Sequence, residues 1–296
     1  MSIGNSEKVF MLEGFQHGIR TDGRGIMDCR QHTTFLGTVP EAYGTCTLTF
    51  GEDDTQVVCA IKAEVMKPLP SEPDMGQITL YLESCQTGRS LFVREDQADL
   101  TKQRMLNILN TLMKSCIDKR ELCIMSGQFC WYLHIDLLVF SELSFDQIDY
   151  IALCMRSALG NLELPQTIAT VNNNTGKIEV GLVEEVYMDK ENTDAPLVLK
   201  SQEHCPYVIS LGVVRPRGQK TPVIVLDPTE VELQCVDQVL HFAVDRDLKI
   251  HGLEQSKGSQ SSDGSESLSL GLPSSLFLKT NLKAILEHRV RHLSSK

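Results

Sequence analysis

No stretch of this 296-residue chain approaches the roughly 18 uninterrupted apolar residues that a membrane-crossing helix requires. Its start, MSIGNSEKVF, lacks the basic flank and apolar block of a secretory leader, so the chain is expected to work inside the cell. An excess of positive charge is missing too. Lys and Arg total 28 against 39 Asp and Glu, which gives a formal charge of −11 and a pI near 5.2. That excludes a protein whose whole surface grips nucleic acid, while leaving room for one basic edge. The ten cysteines include no CxxC pair and are spread along the chain, which fits a reduced cytosolic or nuclear compartment. Cys116, Cys123 and Cys130 have the wrong spacing for a zinc knuckle and read as core residues, so no metal or other cofactor is expected. No basic run stands out as a nuclear import signal.

What is present is ordinary globular material, 42% hydrophobic and 23% charged. Two alternating runs, Thr45 to Phe50 and Thr55 to Val65, are split by the polar turn Gly51 to Asp54 and predict a β-hairpin. A strand follows in QITLYLESC. From Asp96, apolar residues at Leu100, Leu106, Ile108, Leu109, Leu112, Met113, Cys116 and Ile117 predict a helix over about 97–119. Strands are expected at about 121–125 and 130–140, a helix over 146–160 with Asp146 as its N-cap, then strands at 178–188, 207–214 and in TPVIVLDPTEVEL, closed by Asp-Pro.

The Ser- and Gly-rich stretch 255–273 cannot bury enough apolar area to fold alone and reads as a flexible linker. Beyond it, residues 274–296 regain helical spacing through Leu278, Leu282, Ile285, Leu286 and Val290. The basic residues Arg289, Arg291 and Lys296 sit where the helix dipole favours them. The expected organisation is one domain over 1–254 in two halves, about 1–165 and 166–254, then linker and helix.

Residues 133–159, LHIDLLVFSELSFDQIDYIALCMRSAL, run from strand through loop into helix, the frame from which α/β proteins build anion sites. Such a site also needs a glycine, a hydroxyl and a cation. This loop supplies Glu142, Asp146 and Asp149 instead.

Four segments in order, GIRTDGRGIMDCR, YGTCTLTFGEDDTQVVCAIKAEV, WYLHIDLLVF and PYVISLGVV with VIVLDPTEVE, resemble the RNase PH family, which includes polynucleotide phosphorylase and the ring subunits of the RNA exosome. The N-terminal stretch resembles most the non-catalytic ring subunits. The resemblance implies an α/β (α+β) fold with an S5-like first half and a C-terminal α/β half. It also implies that active members seat phosphate at the start of the helix after the WYLHIDLLVF strand, through Gly-Thr-Arg or Gly-Ser-Arg. On this chain that motif falls at Phe145, Asp146 and Gln147, none of which can play its part. The lead-in KSQEHCPYV offers His204 and Cys205 where the family's acidic residues would lie, and no catalysis is assigned to them.

The expected function is therefore that of a non-enzymatic ring subunit of a eukaryotic exosome. Its partners would be other RNase PH-like ring subunits, S1/KH cap subunits, an exoribonuclease and RNA in the channel, with no membrane. Nucleus, nucleolus and cytoplasm follow from the resemblance, as does a role in rRNA processing. Arg89, Arg94, Arg215, Arg217 and Lys220 are candidate RNA contacts, each also readable as an ordinary solvated charge. RTDGRG reads chiefly as a turn whose arginines tie the N-terminal arm to the core. The rival readings are an active phosphorolytic 3′-5′ exoribonuclease and an α/β interaction module of some other complex.

Overall fold

The computed structural model describes residues 3–85, 95–171, 178–182, 197–201, 205–215, 222–257 and 275–294. The first half opens with helix α1 (Asn5–Gln16) and continues through β1 (His32–Leu36), β2 (Gly44–Phe50), β3 (Thr55–Met66) and β4 (Gln77–Ser84). Helix α2 (Glu95–Cys116) follows, then β5 (Cys123–Met125), β6 (Phe129–Val139) and α3 (Ile148–Gly160). The second half holds β7 (Thr167–Val171), β8 (Ile178–Leu182), β9 (Tyr207–Val214), β10 (Val223–Leu226), the short α4 (Glu230–Leu233), β11 (Gln238–Val244) and β12 (Ile250–Lys257). Helix α5 (Ser275–Ser294) closes the described chain.

Two main sheets result. The first runs β1-β2-β3-β6-β4 with β5 paired to β6, and all its pairs are antiparallel except β4 with β6. The second is the antiparallel sheet β10-β9-β11-β12, and β7 and β8 form a separate pair. The expected hairpin forms with each boundary within a residue of its prediction, and β9 matches its predicted span. α2 begins and ends a little earlier than its apolar spacing suggests, with Leu100 exposed and Met105 buried in the core. Only the first part of the predicted 178–188 strand lies within the described residues.

α3 sits between the two sheets and is buried almost all round, as a helix covered on opposite faces must be. Its Cys154 thiol points at the Cys46 carbonyl of β2, 3.3 Å away, while its Asp149 reaches Ser210 of β9. The close approach to β2 requires Gly44, where a Cβ would stand 2.6 Å from the Ala158 carbonyl oxygen. One continuous core joins both sheets to α2, α3 and α5, the last through Ile285, Leu286, Val290 and Leu293. A second cluster packs Met11 and Phe15 of α1 against Val214, Val225, Val236 and Val239.

Several elements depart from the sequence reading. α1 was not expected, because its apolar residues do not keep to one face: Val9 and Phe10 are exposed. β1, β7, β11 and β12 are also additional. β12 extends to Lys257, three residues into the stretch read as linker, held by its register with β11; the rest of that stretch lies outside the described residues. Asp146 does not cap α3. A 3-10 turn (Phe145–Gln147) precedes the helix, Ser144 takes the cap position, and the Ser144 backbone N–H donates to Gln147 Oε1.

Candidate functional site

The loop from β6 into α3 meets the N-terminal arm and the β10–α4 corner in a cluster of paired charges. Its centre is Arg30. The guanidinium donates from Nη1 to Asp146 Oδ2 at 2.6 Å and from Nη2 to the Asp146 carbonyl at 2.6 Å. Nη2 also donates to Asp227 Oδ1 at 2.7 Å, and the Arg30 backbone N–H donates to Asp227 Oδ2 at 2.7 Å. The Arg30 guanidinium also lies near the rings of Phe50 and Tyr150, 5.2 and 5.0 Å from their centroids, and those two rings are stacked. Tyr150 donates its hydroxyl to Asp227 Oδ2 at 2.7 Å.

Asp227 has φ +49, a left-handed backbone that is uncommon for a side-chain-bearing residue, though less so for aspartate. The arm holds it in place. Arg20 is buried, donates to the carbonyls of Leu226 and Asp227 at 2.8 and 2.9 Å, and pairs with Glu232. Glu232 in turn accepts from the Thr229 backbone N–H at 2.8 Å, so one carboxylate closes the capping box of α4 and holds the arm. Arg24 bonds Asp22 and reaches Asp227 Oδ2 at 3.1 Å, while Gly23 takes the positive φ of the turn between them. The arginines of RTDGRG thus tie the arm to the core, as the turn reading expects.

On the far side of Tyr150, α5 inserts Arg289. The side chain is fully buried, lies 5.3 Å from the Tyr150 centroid and 3.7 Å from Asp149 Oδ2, and none of its nitrogens has a hydrogen-bond partner among the described residues. Its position corrects the expectation that the basic residues of this helix serve only its C-terminal end. Asp149 accepts from the Ser210 backbone N–H at 2.9 Å and from the Ser210 hydroxyl, whose oxygen lies 2.7 Å from His241 Nδ1.

Burial drives these groups in different directions. It pushes the Asp149 carboxyl up to about 6 despite Arg289 and Ser210, and pushes the Tyr150 hydroxyl well above its ordinary value. Burial opposes ionisation of Asp227 too, but Arg30 and Arg289 overcome it and hold that carboxyl well below the usual range. Burial, with Arg104 nearby, lowers His241 to about 4, so the imidazole is neutral. Glu230 is raised by partial burial and then by the charges of Asp146 and Glu142, which marks the mouth of the loop as acidic.

Chemically this is a latch. The Arg30 fork is already satisfied by two carboxylates and a carbonyl, so an incoming anion would have to displace buried partners. Asp227 stays ionised and Tyr150 protonated at neutral pH, which leaves neither poised for proton transfer. Among the described residues no three His, Cys, Asp or Glu side chains converge as a metal site.

Of the candidate RNA contacts, Arg215 is exposed just beyond β9, its backbone N–H bonded to Asp237 Oδ2 at 2.6 Å. Arg89, Arg94, Arg217 and Lys220 lie outside the described residues, as does His204. Sequence reasoning missed the roles of Arg30, Asp227, Tyr150 and Arg289. The only signal was that Arg30 ends one of the quoted family segments and Asp227 lies inside another, since periodicity cannot show that residues so far apart meet.

The chain resembles the RNase PH family. Residues 28–165 match the model of the 3′ exoribonuclease family, domain 1. Exosome complex component RRP45 of Danio rerio is 25% identical over 257 residues, covering 86% of this chain and 60% of that protein. The Homo sapiens RRP45 is 25% identical over 262 residues, covering 86% and 53%. This chain therefore spans a little over half the length of those animal relatives. Exosome complex component Rrp42 of Sulfurisphaera tokodaii is 24% identical over 277 residues and 92% of both chains. Two solved structures share the fold: an archaeal exosome core, with TM-score 0.64, 19% identity and 97% coverage of each chain, and the Archaeoglobus fulgidus exosome with RNA bound to the active site, with TM-score 0.68, 19% identity and coverage of 98% and 97%.

Proposed function

We propose that this chain is a structural, non-catalytic ring subunit of an RNA exosome, helping to form a hexameric ring whose channel passes RNA to a separate 3′-5′ exoribonuclease. The observation that carries the reading is the occupation of Arg30 by Asp146 and Asp227 at the start of α3, where the family resemblance puts phosphate. A phosphorolytic enzyme needs an open cationic pocket there for a nucleophile carrying nearly two negative charges. This site presents a carboxylate, with Glu142 and Glu230 beside it. The names of the relatives support the exosome assignment, and the archaeal relative matches over nearly its whole length.

The finer reading follows from the same family. Neighbouring RNase PH-like subunits and S1/KH cap subunits would flank the chain in nucleus, nucleolus and cytoplasm. Arg215, with Arg89, Arg94, Arg217 and Lys220, would touch RNA phosphates without sequence preference.

The test is a pull-down of the tagged chain at moderate salt, with partner identification by mass spectrometry and a phosphorolysis assay on the eluate. Co-purified RNase PH-like subunits, with RNA decay independent of phosphate, are the expected result. Release of nucleoside diphosphates that disappears on mutating this chain would overturn the non-catalytic reading and favour the phosphorolytic enzyme.

A further inference from the structure

The sequence reading places the chain in a reduced compartment, with Cys116 as a core residue and Cys205 in a loop, yet the structure brings these two cysteines together. Cys116 is the last residue of α2 and Cys205 lies two residues before β9, 89 positions later, and their sulfur atoms are in bonding contact with Cα atoms 4.2 Å apart. Both are buried. The other eight cysteines carry free thiols. We propose that Cys116 and Cys205 form a reversible intramolecular disulfide, a covalent modification site that fastens the first-half helix α2 to the second-half sheet.

Placement favours reversibility. Cys116 ends α2 and Cys205 lies in the lead-in to β9 rather than within the strand, so fraying of these ends would let a small disulfide or thiol reach the buried pair. The Arg156 guanidinium donates from Nε to the Cys205 carbonyl at 2.9 Å, and this partly buried cation stands beside the residue that must pass through a thiolate. The oxidant is a small disulfide such as glutathione disulfide. One cysteine thiolate attacks it, forming a mixed disulfide and releasing one glutathione. The second thiolate then attacks the mixed disulfide at the protein sulfur, closing the Cys116–Cys205 bond and releasing a second glutathione. The two thiol protons end on the two glutathiones, and the protein pair is oxidised by two electrons as the glutathione disulfide is reduced. A low-molecular-weight dithiol reverses the sequence.

The pair lies apart from the Arg30 cluster, so the proposal stands or falls independently of the exosome reading. The full-length protein is incubated with glutathione disulfide or with dithiothreitol, alkylated without further reduction, digested with trypsin and analysed by mass spectrometry. The expected product after oxidation is peptide 115–119 linked to peptide 201–217, and it vanishes after dithiothreitol. Recovery of the two peptides separately after oxidation, whether alkylated or carrying only glutathione, would overturn the proposal. In parallel, thermal melting of the oxidised protein should fall by roughly 5–10 °C on reduction, the scale expected for opening a long cross-linked loop. Cys205→Ala should melt at the same temperature with and without reductant, whatever its absolute stability. A reductant shift that persists in that variant would show that another cysteine is responsible.

Discussion

Arg30 and Asp227 lie 197 positions apart and share four contacts: backbone N–H to Oδ2, Nη2 to Oδ1, and Nε to both carboxylate oxygens. The pair joins the two halves of the chain at one point. Asp146 accepts from the same guanidinium on the α3 side, so the arm, α3 and the β10–α4 corner converge on a single side chain.

Removing that side chain is therefore costly. Arg30→Met leaves the wholly buried Asp227 carboxylate and the mostly buried Asp146 without their shared partner, and stability should fall by about 3–5 kcal/mol. Asp227→Asn should cost less, because asparagine tolerates the positive φ and keeps an acceptor for the Arg30 backbone N–H. Urea denaturation of both variants checks the order. A loss below about 1 kcal/mol for Arg30→Met would mean that the latch contributes little to stability.

The contrast between what periodicity showed and what it hid has a physical basis. The hairpin Thr45 to Val65, β9 and α2 were legible because their apolar residues recur at strand or helix spacing and point into the core, although β2 and β9 are buried on both faces. α1 was not, since alongside its buried Met11 and Phe15 it exposes the apolar Val9 and Phe10. The acidic character of the α3 loop was legible residue by residue, but the capping role given to Asp146 was not correct. Nothing local announces a salt partner 116 positions upstream, and that partner draws the carboxylate away from the helix end. Arg289 was misread for the same reason: on an isolated helix it looks like a dipole partner, and only the packing of α5 turns it inward.

The tight seat of α3 gives a second stability test. Gly44→Ala puts a methyl group 2.6 Å from the Ala158 carbonyl oxygen and within 3.2 Å of Leu162, all in a rigid core. The helix must lift from β2, at a cost of about 1–3 kcal/mol, while alanine's modest strand propensity offsets almost none of it. Gly18→Ala would not report on packing, because its positive φ confounds the effect. Gly160→Ala, at the open end of the same helix, is the proper control and should change little, having nothing within 4 Å of an added Cβ.

Phosphate should leave the protein indifferent. Melting temperatures in phosphate and in chloride of equal ionic strength are expected to coincide, since the Arg30 fork is saturated. Asp146→Ser removes the competing carboxylate and supplies a hydroxyl, so a phosphate-dependent gain should appear, about 0.4 kcal/mol when phosphate stands at its dissociation constant. Stabilisation of the unmutated chain by phosphate would contradict the closed latch.

The last test concerns Asp149, faced by Arg289 from α5, Asp227 from the β10–α4 corner, and Ser210 with His241 behind it. Its carboxyl titrates at about 6 in the fold and near 3.8 in an open chain, so the folded state holds the proton more tightly. Its stabilising contribution is complete below the open-chain value and is lost as pH rises through about 6, a change on the order of a few kcal/mol. Asp227 runs the other way: held below the ordinary range, it contributes above that range and loses its contribution on acidification. Asp149→Asn should cancel only the first slope. Relative to the unmutated chain, the variant should therefore gain stability between about pH 4 and pH 6 and level off above that. Arg289→Met removes the nearest cation and should move the Asp149 titration, followed by carboxyl-carbon NMR, upward from about 6. A downward move, or none, would mean that the buried guanidinium does not act on Asp149 despite lying 3.7 Å away.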